Sequence, residues 1–178
     1  MTMLFMKQCF YGKGVFAGRG FRKGDKILAF SGPVIHRSQL PIPILPENDY
    51  YLQIGEDFFL GPSGEPDDFV NHSCDPNAGV IVQFNSAILL AIHPIKWGDE
   101  IFFDYSTTMD NAPCEIDCHC KSPSCRGRIE NFLLLPVPVQ QKYVQLGIVP
   151  DYILKKFLKK YAASRRIINT PIRRLISC

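Results

Sequence analysis

Three cysteines lie close together late in the chain, in a pattern that favours metal binding. Cys118, Cys120 and Cys125 form a C-x-C-x4-C cluster, and three thiolates at this spacing can surround one ion. Zinc takes four soft ligands in a tetrahedron, so a fourth ligand is needed, either Cys114 or a distant residue such as Cys74. Free thiols in a loop are the alternative interpretation.

The total cysteine count points the same way. The chain has seven cysteines, an odd number, and its first residues show neither the basic segment nor the small-residue cleavage site of a secretion signal. A disulfide framework is therefore not expected. A remote fourth ligand would join the end of the domain to its middle and order a segment with little core of its own. His119 lies between two of the ligands and is expected to point away from the metal.

Three further segments each have an ordinary structural interpretation when taken alone. Residues 71–77, Asn-His-Ser-Cys-Asp-Pro-Asn, are typical of a turn stabilised by side-chain hydrogen bonds to the backbone. Residues 98–105, Gly-Asp-Glu-Ile-Phe-Phe-Asp-Tyr, predict a turn followed by an aromatic strand. Residues 12–17, Gly-Lys-Gly-Val-Phe-Ala, contain a G-x-G without the third glycine or the following helix of a dinucleotide site.

The elements that must position these segments are mostly short strands. The first 105 residues are rich in Val, Ile, Phe and Tyr between glycines and prolines, with no long helical period. Hairpin-like turns are predicted at Gly55-Glu56-Asp57 and at Asn85-Ser86. The predicted strands cover residues 14–17, 26–30, 34–35, 50–54, 58–60, 80–84, 87–92 and 101–105.

Helices are predicted only towards the end of the chain. Residues 139–146 form a short helix that Gly147 ends, and Pro150-Asp151 suits the start of a second. In the second helix apolar residues recur four apart, and lysines occupy the other face. Packing of the apolar stripe on the body is favoured over membrane or nucleic-acid binding. No apolar run approaches the roughly 18 residues of a membrane span.

Charge is unevenly distributed along the chain. The formal net charge is +3, yet residues 151–178 carry eight Lys or Arg and one acid. Residues 38–95, here called the acidic window, contain eight acids and no Lys or Arg. The acidic window is either a solvated face or a surface that attracts a basic partner through its long-range field.

Taken together, the order and spacing of the motifs are far more specific than any one of them. Gly-x-Gly-Val-Phe-Ala at 12–17, Asn-His-Ser-Cys-x-Pro-Asn at 71–77, Gly-Asp-Glu-Ile-x-Phe-Asp-Tyr at 98–105 and the late cysteines followed by Arg126-Gly127 appear in this order. This arrangement resembles the SET-domain protein lysine methyltransferases, from about residue 8 to residue 130. The resemblance implies a mainly β fold of small curled sheets with a knot-like segment, a zinc-stapled post-SET loop and C-terminal helices.

The resemblance implies a cofactor and a catalytic set. S-adenosylmethionine (SAM) would donate a methyl group to a lysine ε-amine, with Tyr105 at the transfer point. An aromatic residue before the Asn-His pair lines the lysine channel; we place it at Tyr51, with Tyr50 second. Phe103 would tune how many methyl groups are added and favours di- or trimethylation. The implied cofactor-binding residues are Lys13, Gly14, Val15, Phe16, Asn71, His72 and Tyr105.

The resemblance also implies a zinc site and a division of the chain. The zinc ligands would be Cys74, Cys118, Cys120 and Cys125. The expected parts are a SET catalytic domain at 1–110, a post-SET zinc-binding segment at 111–130 and a C-terminal helical basic tail at 131–178. Asp68, His93 and Lys121 depart from the family pattern, which weakens any inference about substrate identity.

The expected partner is a basic, lysine-containing protein such as a histone-like tail, with nucleic acid secondary and no membrane. An intracellular site is expected, in a bacterial cytoplasm, in a host cell after delivery or in a nucleus. The alternative is a non-catalytic SET-like module that binds basic peptides or, through its cationic tail, nucleic acid.

Overall fold

The computed structural model describes residues 3–10, 12–41, 44, 49–111 and 116–162. Three parts of the sequence-based predictions lie outside these ranges: Cys114 as a zinc ligand, Glu47 of the acidic window, and the basic segment 163–178. None of the described helices is long and apolar enough to cross a membrane.

Twelve short strands form five small sheets among the described residues. Their orders are β1-β2, β3-β9-β8, β4-β6-β5, β7-β10 and β11-β12. The prediction of a mainly β fold with C-terminal helices is confirmed. The strands are β1 Leu4–Cys9, β2 Gly12–Ala17, β3 Lys26–Phe30, β4 Val34–His36, β5 Leu52–Gln53, β6 Phe58–Leu60, β7 Asn71–His72, β8 Ala78–Gln83, β9 Ser86–Ala91, β10 Phe102–Phe103, β11 Ile116–Asp117 and β12 Arg128–Ile129, and the helices are α1 Val137–Gln145 and α2 Asp151–Ala162.

Strand β1 was not predicted, because its sequence lacks an apolar–polar alternation. It pairs antiparallel with β2 over six residues, from Leu4 opposite Ala17 to Cys9 opposite Gly12. Two further predictions needed correction in detail. The turn between β8 and β9 is centred on Phe84 and Asn85, both with positive φ, because Gln83 pairs with Ser86. The strand predicted at 50–54 is reduced to Leu52–Gln53.

The parallel pair β7–β10 is the contact that assembles the site. Asn71 lies opposite Phe102 and His72 opposite Phe103, although about thirty residues separate the two strands. The strand predicted at 101–105 ends early, because Asp104 accepts a hydrogen bond from the Ser106 N–H and starts a 3₁₀ helix at Tyr105–Thr107. The knot-like passage expected in this region stays a prediction.

The described residues contain two large apolar cores and a smaller cluster of Cys74, Cys118 and Ile129. The first lies among the sheets and includes Val15, Leu89 and Ile101, each fully buried. The second lies between α1 and α2, where Ile153 and Phe157 of α2 are buried. Helix α2 therefore packs its apolar stripe on the body, as predicted, while Lys155 and Lys159 stay exposed. Helix α1 begins two residues before its predicted start and is followed by Gly147 at φ +70°.

Candidate active site

A cavity of about 110 Å³ opens beside the 3₁₀ helix that begins at Tyr105. By comparison, an engineered apolar cavity of about 150 Å³ holds a benzene molecule. The cavity therefore has the size for an unbranched aliphatic side chain. Its walls are largely aromatic and apolar. The lining side chains that matter here are Phe30, Asp49, Tyr50, Tyr51, Phe59, Phe103 and Tyr105.

Tyr105 lies where the cavity meets the β7–β10 pair. Its hydroxyl donates a hydrogen bond to the Val70 carbonyl at 2.9 Å, and its ring centroid lies 4.8 Å from that of Phe103 and 5.3 Å from that of His72. Burial raises the pKa of the Tyr105 hydroxyl well above its usual value, and the nearby Asp49 carboxylate adds to the rise. Tyr105 is therefore a neutral phenol that can orient a ligand without adding a negative charge.

The other predicted channel residues lie around the same cavity. Phe103 is buried and meets Phe30 edge to face at 5.9 Å. Tyr51, and also Tyr50, line the cavity, and Tyr50 packs edge to face on Phe69 at 5.7 Å. The structure brings Tyr105, Phe103 and Tyr51 together at one cavity. Tyr50 and Tyr51 both form part of its wall.

Asp49, predicted only as one acid of the acidic window, lines the cavity. Burial raises the pKa of its carboxyl group, against the opposing effect of a hydrogen bond from the Tyr51 backbone. Asp67 and Asp68 also line the cavity, but their carboxylates hold loops. Asp67 accepts from the Ser31 N–H at 2.8 Å, and Asp68 accepts from the Gly64 N–H at 2.7 Å.

The Gly-x-Gly segment lies against Asn71. The Asn71 side-chain amide donates to the Lys13 carbonyl at 3.1 Å and to the Glu100 carboxylate at 2.9 Å. A Cβ atom on Gly14 would lie 2.5 Å from that carboxylate, so Gly14 permits the close approach of Asn71 and Glu100. Gly12 instead has φ +98° and faces open space. The open side of this segment thus lies at Gly12.

The remaining predicted cofactor residues differ in what they can offer a ligand. Val15 is fully buried in the first core, so only its backbone could contact a ligand. The Phe16 ring stacks on Phe5 at 5.7 Å. The Lys13 ammonium lies 5.1 Å from the centre of the Phe69 ring. Tyr105 lies on the cavity side.

His72 is buried between Tyr105 and the cysteines. Its Nδ1 accepts a hydrogen bond from the Tyr105 N–H at 3.2 Å, and its Nε2 lies 3.4 Å from the Cys74 sulfur. Burial lowers the pKa of His72 to about 4, although the nearby Asp104 carboxylate opposes the shift. His72 is therefore neutral at pH 7. Because Nδ1 is an acceptor, the ring proton lies on Nε2 and is donated towards Cys74.

The cysteine cluster has the dimensions of a tetrahedral metal site. The Cys118 sulfur lies 3.7 Å from the Cys74 sulfur and 3.6 Å from the Cys125 sulfur. A zinc ion with four thiolates at about 2.3 Å requires sulfur–sulfur distances of about 3.8 Å. The donor atoms of His72, Cys74, Cys118 and Cys120 all lie within 4.8 Å of one another. These residues can hold a metal ion.

The cluster offers five side chains for the four ligands that zinc takes: His72, Cys74, Cys118, Cys120 and Cys125. His72 cannot use Nε2 as a ligand while that atom carries the ring proton, so the tautomer argument favours Cys125 as the fourth ligand. Asp104 lies 3.5 Å from His72 Nδ1, but its oxygens are occupied by shorter hydrogen bonds. His119 is exposed and is not among the residues whose donor atoms come together.

The pKa values of the thiols show what a bound cation would change in this cluster. Burial raises the pKa of Cys74 to about 11 and raises that of Cys118 further. Burial also acts on Cys120, yet backbone N–H groups of Cys74 and Ser122 donate to its sulfur and lower its pKa to about 7. Several thiolates in one buried cluster repel each other, so full deprotonation requires a bound positive charge.

A buried polar network joins this cluster to Tyr105. The Asp104 carboxylate, fully buried beside Tyr105, accepts hydrogen bonds from Arg126 at 2.8 and 2.9 Å and from the Tyr143 hydroxyl at 2.8 Å. The backbone N–H of Arg126 in turn donates to the Cys74 sulfur at 3.4 Å. The sequence shows Asp104 and Arg126 as parts of motifs but gives no sign that they meet, and Tyr143 carried no signal at all.

Residues 12–106 match the family model of the SET domain, which is just over half of the 178 residues. The chain belongs to the SET-domain family. The match includes the Gly-x-Gly segment, Asn71, His72 and Tyr105, and it ends before the late cysteines and both helices.

Curated relatives of this SET domain are much longer proteins. The variant-silencing SET domain-containing protein of Plasmodium falciparum (isolate 3D7) is 30% identical over 132 residues, covering 64% of this chain and 5% of that protein. The histone-lysine N-methyltransferase ash1 of Drosophila melanogaster is 28% identical over 129 residues, covering 66% of this chain and 6% of that protein. The chain therefore spans about a twentieth of the length of these two relatives.

A solved structure supports the SET fold. The crystal structure of KRYPTONITE in complex with mCHH DNA, H3(1-15) peptide and SAH aligns with a TM-score of 0.58 and 21% identity, covering 71% of this chain and 29% of that chain. At this identity the likeness concerns the fold alone.

Much of the acidic window of this SET domain is engaged within the chain. Asp57 pairs with Arg37 at 3.2 Å, and Asp75 lies 3.7 Å from Lys142. Glu56 lies 3.4 Å from Lys156 of α2. Since Asp67 and Asp68 hold loops, Asp49 at the cavity and the exposed Glu65 are the acids best placed to meet a partner among the described residues.

Proposed function

We propose that this SET domain transfers a methyl group from SAM to the ε-amine of lysine in a basic protein. The observation that carries the proposal is the aromatic cavity that ends at Tyr105. A cavity of this size and lining suits an extended, unbranched lysine side chain, and its apolar walls favour the neutral form of the amine over the ammonium. The names of the relatives, which include a histone-lysine N-methyltransferase, support the same activity.

The chemistry explains why neutral aromatic walls suit the reaction. SAM supplies an activated methyl group, so the protein chiefly needs to align the amine with it. Free lysine has a pKa of about 10.4, and its amine must be neutral to react. Removal of water in an apolar cavity can lower a lysine pKa by as much as roughly 3–5 units.

In this proposal Tyr105 orients the amine, and Phe103 and Tyr51 form the walls. The Tyr105 hydroxyl is held at 2.9 Å from the Val70 carbonyl, and its backbone N–H is held by His72. Both contacts fix the tyrosine before any substrate enters. Phe103, which brings no hydroxyl group to the cavity, leaves room for an amine that already carries methyl groups.

The cofactor would lie along the Gly-x-Gly segment, on the open side of Gly12. Lys13, Gly14, Val15 and Phe16 would contribute mainly backbone groups there. Asn71 and His72 would shape its other edge. The KRYPTONITE structure in complex with SAH, the form of SAM that has lost its methyl group, supports the choice of cofactor.

The zinc ion would be held by Cys74, Cys118, Cys120 and Cys125. It would neutralise the thiolates and fix the loop that presents Arg126 to Asp104. Under this proposal residues 111–130 form a post-SET segment whose order depends on the metal.

The proposed substrate class is a basic protein such as a histone-like tail. Asp49 at the cavity and the exposed Glu65 supply the negative charge near the cavity. That the KRYPTONITE complex contains an H3(1-15) peptide supports a peptide substrate. A non-catalytic module that binds nucleic acid is the second candidate, since Lys155 and Lys159 of α2 are exposed.

The test is incubation with isotopically labelled SAM and a panel of basic proteins, followed by mass spectrometry of the modified sites. Label on lysine supports the proposal. The Tyr105→Phe variant should retain SAM binding by calorimetry but lose about 10²-fold or more in turnover, since loss of alignment on the order of 1 Å has that effect. A wild-type protein that binds no SAM and modifies no lysine would overturn the proposal. Normal turnover in Tyr105→Phe would remove Tyr105 from its role.

A further inference from the structure

Two side chains of α2 point at the same part of the body. Tyr152 and Lys156 lie four residues apart, so they share one face of the helix. Both are only partly exposed, whereas Lys155 and Lys159 are fully exposed. This face of α2 therefore also contacts the body of the protein, beside the apolar stripe.

Tyr152 joins two chain segments that line the cavity. Its hydroxyl lies 2.6 Å from the Thr108 carbonyl and 3.0 Å from the Gln53 carbonyl. Gln53 belongs to β5, next to the cavity-lining Tyr51, and Thr108 follows the 3₁₀ helix of Tyr105. Both Gln53 and Thr108 line the cavity. One hydroxyl proton is shared between the two carbonyls and holds them together.

Lys156 joins the same two segments one helical turn later. Its ammonium lies 2.6 Å from the Asp110 carboxylate and 3.4 Å from the Glu56 carboxylate. The Asp110 side chain is only 10% exposed, which reduces the screening of this contact by water. The Asp110 N–H also donates to the Gln53 side chain at 2.8 Å.

We propose that Tyr152 and Lys156, here called the α2 staple, are positioning residues that set the width of the lysine channel. The staple holds residues 53–56 against residues 108–110, and the latter follow directly from Tyr105. The inference rests on the proposed function for its consequence in catalysis. Its structural part does not, because the segments it joins can be observed directly. Helix α2 lies outside the matched residues 12–106, so this is a device of the C-terminal segment.

The mechanism of the staple follows from the hydrogen bonds that end at Thr108. The Thr108 N–H donates to the Tyr105 carbonyl at 3.1 Å, and the Thr107 N–H donates to the Asp104 carbonyl at 2.9 Å. If the Thr108 carbonyl is released, this 3₁₀ turn is held at one end only. Tyr105 would then sample positions that do not align the amine.

The first experiment compares Tyr152→Phe with Tyr161→Phe. Tyr161 lies on the same helix and donates its hydroxyl to Gln140 at 3.0 Å, within the second core. Each variant loses one hydroxyl group, which has two carbonyl acceptors at Tyr152 and one acceptor at Tyr161, so both melting temperatures should fall. Only Tyr152→Phe should raise amide hydrogen exchange at Thr107 and Thr108, by about tenfold, and lower kcat for methyl transfer by about tenfold.

The second experiment compares Lys156→Gln with Lys160→Gln, which lies one turn further along α2. Lys160 donates to the Leu133 carbonyl at 2.8 Å, away from the cavity. Lys156→Gln should speed exchange at the Asp110 amide and lower kcat. It should also make kcat less sensitive to salt than in the wild type, because the ion pair that salt screens is gone, and Lys160→Gln should do none of these. This pair decides the inference if Tyr152→Phe fails to fold.

The outcomes separate the staple from the proposed function. If the wild type transfers no methyl group, the proposed function fails, while the exchange rates still test the staple. The staple is overturned if Tyr152→Phe matches Tyr161→Phe in both amide exchange and kcat. If Tyr152→Phe does not fold, the staple is overturned when Lys156→Gln matches Lys160→Gln. A double variant of Tyr152 and Lys156 whose effects on exchange simply add would also contradict a joint action.

Discussion

On one side of Tyr105 lies a cavity with aromatic walls, and on the other lies a cluster of buried thiols. Apart from Asp49, the cavity is lined by side chains that are neutral or, like Asp67 and Asp68, already bound to N–H donors. In the cluster, the pKa of Cys74 is raised to about 11 while that of Cys120 is lowered to about 7. The two regions therefore keep their shape by different means.

This difference predicts different responses to the same perturbation. The cavity depends on apolar packing, which is insensitive to pH and to chelators. With the proposed zinc bound, the cluster would depend on that cation, because buried thiolates cannot share a site without a positive charge. The two meet at His72, which contacts both Tyr105 and Cys74. They also meet through Arg126, whose side chain binds Asp104 and whose backbone N–H donates to the Cys74 sulfur.

Removal of metal should give the largest effect, and it should act first on the cluster side. A chelator at neutral pH should release zinc, speed amide exchange at Cys118 and Cys125, and reduce methyl transfer by about 10²-fold or more, because the loop that carries Arg126 is released. Acid should act in the same direction, because protons compete with the metal for the thiolates. Metal analysis and hydrogen exchange measure both responses.

Two cysteine variants define the ligand set behind this prediction. Cys125→Ser should lose zinc, and Cys114→Ser should keep it. The reverse result would contradict the ligand set proposed here. Unchanged exchange at Leu89 and Ile101, in the first core, is the expected control. Loss of protection there would mean that the two regions do not differ as argued.

Sequence patterns predicted the residues of the cavity better than the polar network beside the cysteine cluster. Tyr105, Phe103 and Tyr51 were placed at the channel by short motifs, and the structure brings all three to one cavity. The link from Arg126 to Asp104 was not predicted, because the two residues lie 22 positions apart with no periodic pattern between them. A long-range contact of this kind leaves no local trace in a single sequence.

The same limit applies to the C-terminal helices. Periodicity predicted the apolar stripe of α2 and put Lys156 with the other lysines on the opposite face, whereas in the structure Lys156 contacts Asp110. It could not say which surface the helix would meet, because the contacted residues are distant in sequence. Gln53 and Thr108 lie 99 and 44 positions from Tyr152, and Asp110 lies 46 positions from Lys156. Strand β1 was missed for a different reason, since its burial does not alternate.

Phe103→Tyr should have an intermediate effect, confined to the cavity side. The new hydroxyl would enter a wall that lies 4.8 Å from the Tyr105 ring, measured between centroids, and would take up space and bind a water or the amine. Products should shift towards monomethyl-lysine by several fold, measured by mass spectrometry. Zinc content should not change.

The control for this variant is Phe21→Tyr. Phe21 is 2% exposed in the first core and does not line the cavity, so it carries a similar packing cost of about 1–3 kcal/mol. It should lower the melting temperature without changing the product ratio. An unchanged ratio in Phe103→Tyr would remove Phe103 from its tuning role.

Asp49→Asn should have the smallest effect, a small change in melting temperature. It tests whether a buried charge at the cavity destabilises the protein. Burial raises the pKa of Asp49, so the folded protein binds this proton more tightly than the unfolded chain does. Ionised Asp49 therefore lowers stability, and this loss grows as pH rises from the unfolded pKa through the folded one. At pH 7 the variant should melt about 2 °C above the wild type, and the gain should vanish near pH 3, where the wild-type carboxyl is protonated.

Asp57→Asn, at an exposed ion pair, should give no gain at any pH; a gain there equal to that of Asp49→Asn would show that net charge, and not burial at the cavity, is responsible.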